Sequence, residues 1–242
     1  MKRTAYTAVT ALIVSLLGNV PYAHAQTLRS SNDRHSNVNA RGGGHLGVDS
    51  TIGEILRHPA FAGFGRLLLP WDDRDYEEQM PLTRIASLLP YHSHVDPETV
   101  ANGLNRMIDD AARGQTVFYR FYTEAQQKQQ PARKNTGLFF FRGRTGAPFA
   151  VIAPGGGFSY VGSVHEGFPY AGAISGKGYN AFVLRYRLGY GGTVAIEDLA
   201  AAVSYIFQHA ATLGVGTSGY SLWGSSAGGR MAAAKHRSQR FQ

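Results

Sequence analysis

The run Gly224-Ser225-Ser226-Ala227-Gly228-Gly229 constrains this chain more than any other feature. It lies directly between an apolar, strand-like stretch, Tyr220-Ser221-Leu222-Trp223, and a helix-like one, Gly229-Arg230-Met231-Ala232-Ala233-Ala234. A G-x-S-x-G in that context demands a strand-to-helix turn so tight that the serine takes a strained backbone angle. Gly224 and Gly228 are required because a side chain there would collide with the neighbouring strand or helix. Ser226 is then lifted above the sheet edge at a helix N-terminus, where partial positive charge favours a developing oxyanion. That makes Ser226 the candidate catalytic nucleophile. The competing description, an ordinary Gly/Ser turn capping a helix, does not account for the strand on its left.

A second glycine run, Pro154-Gly155-Gly156-Gly157-Phe158-Ser159, follows the apolar segment from Phe149 to Ala153. Glycines let backbone N–H groups approach a substrate carbonyl closely. Gly155, Gly156 and Gly157, with the N–H of Ala227, are therefore the expected oxyanion-binding positions. A phosphate loop is the alternative, but the run lacks both a Lys-Ser/Thr ending and the G-x-G-x-x-G spacing.

These two motifs sit in a repeating order of elements. Pro97 to Arg113 reads as a helix, with Asp96 as its cap, Pro97 in its first turn and Val100, Leu104, Met107, Ile108 and Ala111 on one face. Thr116 to Tyr122 and Gly137 to Phe141 read as a strand meander around a polar loop, Glu124 to Asn135. Phe149 to Ala153 is a buried strand, His165 to Gly176 a helix, Asn180 to Tyr186 a strand and Val194 to Leu213 a helix. Tyr220 to Gly224 is the last strand, and a helix begins at Ser226. Antiparallel strands giving way to strand-helix-strand units imply an α/β fold with a doubly wound, mostly parallel sheet. Of the 13 Tyr and 13 Phe, those that fall in strands are expected to be core before they are ligand-binding.

Charge and composition narrow the function. Among 242 residues the net charge is +8, but Lys2 and Arg3 lie in the first segment and Lys235, Arg237 and Arg240 in the last eight residues. The basicity is mostly terminal, and no stripe of Lys and Arg with interleaved aromatics remains to bind nucleic acid. Cysteine is absent, which excludes disulfide scaffolds and cysteine zinc sites. The acidic stretch Trp71 to Glu78 is read as a solvated charged turn rather than a metal site. No metal and no cofactor are expected.

The first segment has its own logic. Lys2 and Arg3, the apolar run Ala8 to Leu17 and the small-x-small triplet Ala23-His24-Ala25 have the layout of a secretory signal peptide cleaved after Ala25. The apolar run is shorter than the roughly 20 residues a bilayer needs, so no integral membrane segment is expected in the mature protein. A periplasmic or secreted protein follows. The expected organisation is a signal peptide over 1–25, a flexible leader over 26–50, an N-terminal helical extension over 51–114 and the α/β domain over 115–242.

The series PGGGFSY, NAFVLRYRLG, EDLAAAVSYIFQHAATLG and YSLWGSSAGGRMAA, spanning about residues 115 to 234, resembles the α/β-hydrolase superfamily. Within it the nearest likeness is to the bacterial esterase/lipase branch, hormone-sensitive-lipase-like or carbohydrate-acetylesterase-like. Pro154 stands where that branch usually has His. The resemblance implies that Ser226 is the nucleophile, that Gly155 to Gly157 form the oxyanion loop and that Ala227 is the residue after the nucleophile. It further implies a small-molecule or carbohydrate ester as substrate. Asp198 matches a frequent family Asp, for which stabilisation of a helix N-terminus is preferred here over catalysis.

A serine hydrolase also needs a base and an acid, which in this fold follow the nucleophile. Sixteen residues follow Ser226, with no Asp or Glu and one histidine, His236, ten positions on. A continuous helix would carry His236 roughly 15 Å from Ser226, out of hydrogen-bond reach. His165 and His209 are weak candidates for the base. The polar, basic ending from Lys235 lacks helical apolar periodicity, so the sheet is expected to be incomplete after the nucleophile strand and helix, as in a C-terminally truncated hydrolase. Two other functions remain in view: a catalytically inactive hydrolase-like protein, and a serine peptidase of the prolyl-oligopeptidase type.

Overall fold

The computed structural model describes residues 44–92 and 94–239. The expected signal peptide, and residues 26–43 of the expected leader, lie outside the described residues. From Gly44 onward the leader is not free. Leu46 is buried, its N–H donates to Asn105 Oδ1 at 2.7 Å and its carbonyl accepts from Asn105 Nδ2 at 2.9 Å.

Short helices build the segment before the sheet. Helix α1 (Ile52–Arg57) opens with a capping box between Thr51 and Glu54. A 3-10 turn (Pro59–Phe61), α2 (Gly65–Leu68) and a 3-10 stretch (Leu82–Leu88) follow. Helix α3 (Pro97–Ala112) starts as the sequence predicts: the Asp96 carboxylate accepts from the N–H groups of Glu98 and Thr99. Its buried residues include Val100, Leu104, Met107 and Ile108.

The sheet comprises β1 (Phe118–Tyr119), β2 (Gly137–Phe141), β3 (Pro148–Ala153), β4 (Asn180–Arg185) and β5 (Gly216–Gly224), in spatial order β1-β2-β4-β3-β5. β2 pairs antiparallel with β1 and β4, whereas β3 runs parallel to both β4 and β5. The helices are α4 (Glu124–Gln129), α5 (Phe168–Gly176), α6 (Thr193–Gln208), α7 (Ala210–Leu213) and α8 (Ser226–Gln239). The expected α/β fold with antiparallel strands at one edge and strand-helix-strand units beyond is what forms.

Alternate residues divide two cores. Phe139, Phe141, Ile152, Ala181 and Val183 face the N-terminal helices and α5. Leu138, Phe140, Val151, Phe182 and Leu184 face Leu199, Val203 and Ile206 of α6 and Ala227 and Met231 of α8. Period-two alternation in strands that are apolar on both faces covers the sheet on both sides.

Several boundaries differ from the sequence expectation. The strand expected over 116–122 is two residues long, and the polar loop after it is helical: Thr123 and Gln126 form a second capping box at the start of α4, and a 3-10 turn (Pro131–Asn135) follows. The helix expected from Val194 to Leu213 breaks at His209, and Gly214 in a left-handed conformation ends α7. The strand before Ser226 begins four residues earlier than expected, at Gly216. Helix α8 begins at Ser226 as expected and runs to Gln239. Lys, Arg and Gln are good helix formers, so a lack of apolar periodicity does not end a helix that already has a first turn.

The acidic turn also differs. Asp72 forms an ion pair with the fully buried Arg185, whose Nη1 also donates to the carbonyls of Pro70 at 3.2 Å and Val161 at 3.3 Å. Tyr76 donates to the Trp71 carbonyl and accepts from its N–H, and burial pushes its hydroxyl up to about 12. The turn is therefore pinned to β4, not merely solvated. Among the described residues no group of His, Asp or Glu is arranged to hold a metal, and no helix is long and apolar enough to cross a membrane.

Candidate active site

Two turns leave adjacent strand ends. In the parallel register Ala153 of β3 lies opposite Gly224 of β5, so the glycine loop after β3 and the serine turn after β5 emerge side by side at the carboxyl edge of the sheet. Open parallel sheets place ligands at this edge.

The serine turn has the geometry its sequence demands. Ser226 is the first residue of α8 and has φ +49°, in the left-handed region. A Cβ on Gly228 would lie 1.8 Å from the Ala153 carbonyl oxygen, so the helix can approach β3 this closely only with glycine there. Ser226 is exposed, and its hydroxyl has no hydrogen-bond partner among the described residues.

The glycine loop is equally constrained. Gly156 has φ +146°, and a Cβ on it would meet the Tyr160 carbonyl oxygen at 1.9 Å. The Gly156 carbonyl accepts from the N–H groups of Ser159 and Tyr160, which closes the turn. Phe158 follows with φ +61°, its carbonyl held by the Gly189 N–H at 2.7 Å and its ring under the Arg230 guanidinium at 5.5 Å. Among the described residues, Phe158 and Ser226 are the two non-glycine positions with positive φ. Backbone strain of order 1–3 kcal/mol per residue is concentrated at these adjacent turns.

The four expected oxyanion positions do not share one role. Gly156, Gly157 and Ala227 have N–H groups with no hydrogen-bond partner among the described residues. Gly155 is different: its N–H donates to Glu166 Oε2 at 2.6 Å. A donor already held by a carboxylate is not free for a substrate oxygen, which removes Gly155 from the oxyanion set.

Glu166 and His92 are the site residues that sequence reasoning passed over. Glu166 Oε2 also accepts from the Ser225 hydroxyl, and Oε1 pairs with His92 Nε2 at 2.6 Å. Glu166 stands in a π-helical turn (Ser163–Gly167). One sequence signal could have marked it: it is the sole acidic residue between Glu124 and Glu197. Nothing local marks His92, which comes from the segment before α3, 74 residues away.

His165 and His209 are held by other partners. His165 is buried, with Nε2 against the Ile85 carbonyl at 3.0 Å, and burial lowers its pKa to about 4, so it is neutral at pH 7. His209 caps its own helix through the Tyr205 carbonyl and stacks on Tyr205. The side chain of His236 lies outside the described residues.

Asp198 needs correction. It is not in the first turn of α6 but fully buried further along it. Its oxygens accept from the Tyr122 hydroxyl at 2.7 Å, the Arg187 N–H at 2.7 Å and the Arg187 guanidinium at 2.8 to 3.1 Å. It fastens the segment after β4 to α6, and stabilising a helix dipole is not its role. The same contact holds the Tyr122 hydroxyl in its protonated form, mainly through burial and then through the carboxylate beside it.

A strand of a mixed sheet that turns through a strained, exposed serine into a helix, beside a glycine loop at the end of the neighbouring parallel strand, is the arrangement that the G-x-S-x-G turn of α/β-hydrolases requires. Residues 142–241, less than half of the chain, match the BD-FAE family model. No curated protein matches the chain. The solved structures similar to this chain include esterases. The hyperthermophilic esterase of the archaeon Pyrobaculum calidifontis is 27% identical over 43% of this chain and 34% of its own, with a TM-score of 0.38. A propionate-bound esterase of the planctomycete Thermogutta terrifontis is 27% identical over 41% and 39%, TM-score 0.37, and a bacterial heroin esterase 27% identical over 43% and 35%, TM-score 0.39. The chain spans between about a third and two fifths of the length of these structures.

Proposed function

We propose that this chain is an exported serine hydrolase acting on carboxylic esters, with Ser226 as nucleophile and the N–H groups of Gly156, Gly157 and Ala227 as the oxyanion site. The observation that supports this most is the exposed Ser226 at φ +49° beside a glycine loop with unpartnered N–H groups. Ser226 Oγ attacks the ester carbonyl carbon as its proton departs. The carbonyl oxygen takes up negative charge against backbone donors whose orientation is fixed in advance, which saves reorganisation at the moment of reaction. The C–O bond to the alcohol breaks, the alcohol leaves with a proton, and water then releases the acid from the acyl-serine.

No imidazole lies within hydrogen-bond distance of Ser226 Oγ among the described residues, so the proton has no dedicated acceptor there. Loss of acid–base partners in serine hydrolases costs several orders of magnitude, leaving the contribution of the oxyanion site and binding. This reading therefore expects slow ester turnover. Nitrophenyl acetate hydrolysis and fluorophosphonate labelling, each against Ser226→Ala, test this; equal rates for the two proteins would eliminate Ser226 as the nucleophile.

The unpartnered hydroxyl also favours a second reading, an inactive hydrolase-like protein that holds an acyl or carbohydrate ligand. It expects no labelling at Ser226 in a protein that unfolds cooperatively. Comparing ester with peptide substrates separates both from the peptidase alternative. Export expects a mature N-terminus at Gln26, read by N-terminal sequencing.

A further inference from the structure

We propose that Glu166 is the positioning residue of the Ser226 site: one carboxylate that locks the glycine loop to the nucleophile turn and ties both to the N-terminal segment through His92. The inference rests on the reading of Ser226 as nucleophile, but its structural part stands apart from it.

The two oxygens divide the work. Oε2 accepts from the Gly155 N–H at 2.6 Å and from the Ser225 hydroxyl, and Oε1 pairs with His92 Nε2 at 2.6 Å. Gly155 immediately precedes Gly156, and Ser225 immediately precedes Ser226. The carboxylate therefore fixes the residue just upstream of each half of the site without touching the reacting atoms. Hydrogen bonds to an ionised acceptor are roughly twice as strong as neutral ones, and this acceptor is sheltered, with side-chain exposures of 19% for Glu166 and 12% for His92.

The loop needs such a clamp. Three consecutive glycines lose more conformational freedom on ordering than any other run of that length, and the N–H groups of Gly156 and Gly157 have no partner to hold them. The π turn supplies the reach. Gly162 N–H donates to the Gly155 carbonyl at 3.1 Å and Glu166 N–H donates to the Gly162 carbonyl at 2.9 Å, so the turn folds back over the loop. A Cβ on Gly155 would lie 3.2 Å from both carboxylate oxygens and 3.3 Å from the Ser225 carbonyl. Carboxylate, loop and nucleophile turn are thus in direct contact. Three donors occupy the carboxylate, so it is placed to orient and not to take the Ser226 proton.

The test compares Glu166→Ala, Glu166→Gln and Ser225→Ala in the full chain by two measurements: the fluorophosphonate labelling rate of Ser226, and amide hydrogen exchange over residues 154–162 and 223–228. Glu166→Ala is expected to slow labelling about tenfold or more, since small misplacements of reacting groups cost up to about a hundredfold. It should also speed exchange in both segments while β2 exchanges as before. Glu166→Gln keeps an amide oxygen for Gly155 and Ser225 and should restore labelling to within about threefold. A merely structural role would lower the unfolding temperature and leave labelling unchanged below it, which would overturn the proposal. Unchanged exchange over 154–162 in Glu166→Ala would overturn it too. Should Glu166→Ala fail to fold, Ser225→Ala, which removes one donor, must still speed exchange over 223–228. If the unaltered chain does not label, the nucleophile reading fails, and the exchange comparison alone decides the role of Glu166.

Discussion

Around Asp198 every acceptor is taken, whereas around the Ser226 hydroxyl none is. Asp198 lies fully buried between Arg187 and Tyr122, and its oxygens receive a backbone N–H, a guanidinium and a phenol. Ser226 lies exposed at the sheet edge with a strained backbone and no partner among the described residues. A buried charge without hydrogen bonds costs several kcal/mol, so folding retains it only when saturated. An exposed hydroxyl has no such requirement, because water satisfies it. On the proposed function, the polar group left open where the backbone is strained is the one that does the chemistry.

That contrast can be broken at either end. The largest effect is expected from Ser226→Ala, which should abolish fluorophosphonate labelling outright while leaving the unfolding free energy within about 0.5 kcal/mol of that of the unaltered chain. Next is Asp198→Ala. It takes from the buried Arg187 guanidinium its buried carboxylate, leaving it the half-exposed Glu197, and should cost about 3–5 kcal/mol of stability, read from urea unfolding at constant m-value.

A third prediction concerns pH. The pKa of His165 falls from the ordinary 6.5 to about 4 because burial penalises its charged form. Between those values the unfolded chain binds more protons than the folded one, so stability falls as pH drops through 6.5 toward 4 and this contribution levels off below. About 3 kcal/mol is expected through this group, and His165→Gln should remove that part of the acid sensitivity in urea titrations at pH 7 and pH 4. The smallest effect is expected far from both centres: Thr51→Ala removes the cap of α1 and should cost about 1 kcal/mol with no change in labelling.

What could be read in advance follows the range of the interactions. Asp96 as a cap, the apolar stripe of α3, strands β2, β3 and β4 and the serine turn are all set by neighbours within a few residues, and these were legible. Helix α4 was missed because its two capping-box residues, Thr123 and Gln126, are polar and its body carries no apolar stripe. The end of α8 was not legible for a related reason: periodicity reports burial, and a helix persists without burial once its first turn is made.

In the candidate site the sequence indicated the positions that backbone geometry requires, Gly156, Gly157, Ser226, Ala227 and Gly228. It could not separate Gly155 from its neighbours, since what distinguishes Gly155 is a carboxylate eleven residues away on a turn of unusual pitch. It could not connect Glu166 to His92 either, or Asp72 to Arg185 across 113 residues.

The sequence by itself determined that a strand must turn sharply into a helix at Ser226 and that a glycine loop must stand near it, because sterics at a tight turn act within a few bonds. Only the tertiary structure decided which N–H groups stay free, which acid holds the loop and which histidine supports that acid. Those choices depend on desolvation and on the meeting of segments far apart in the chain, and neither is encoded in local spacing.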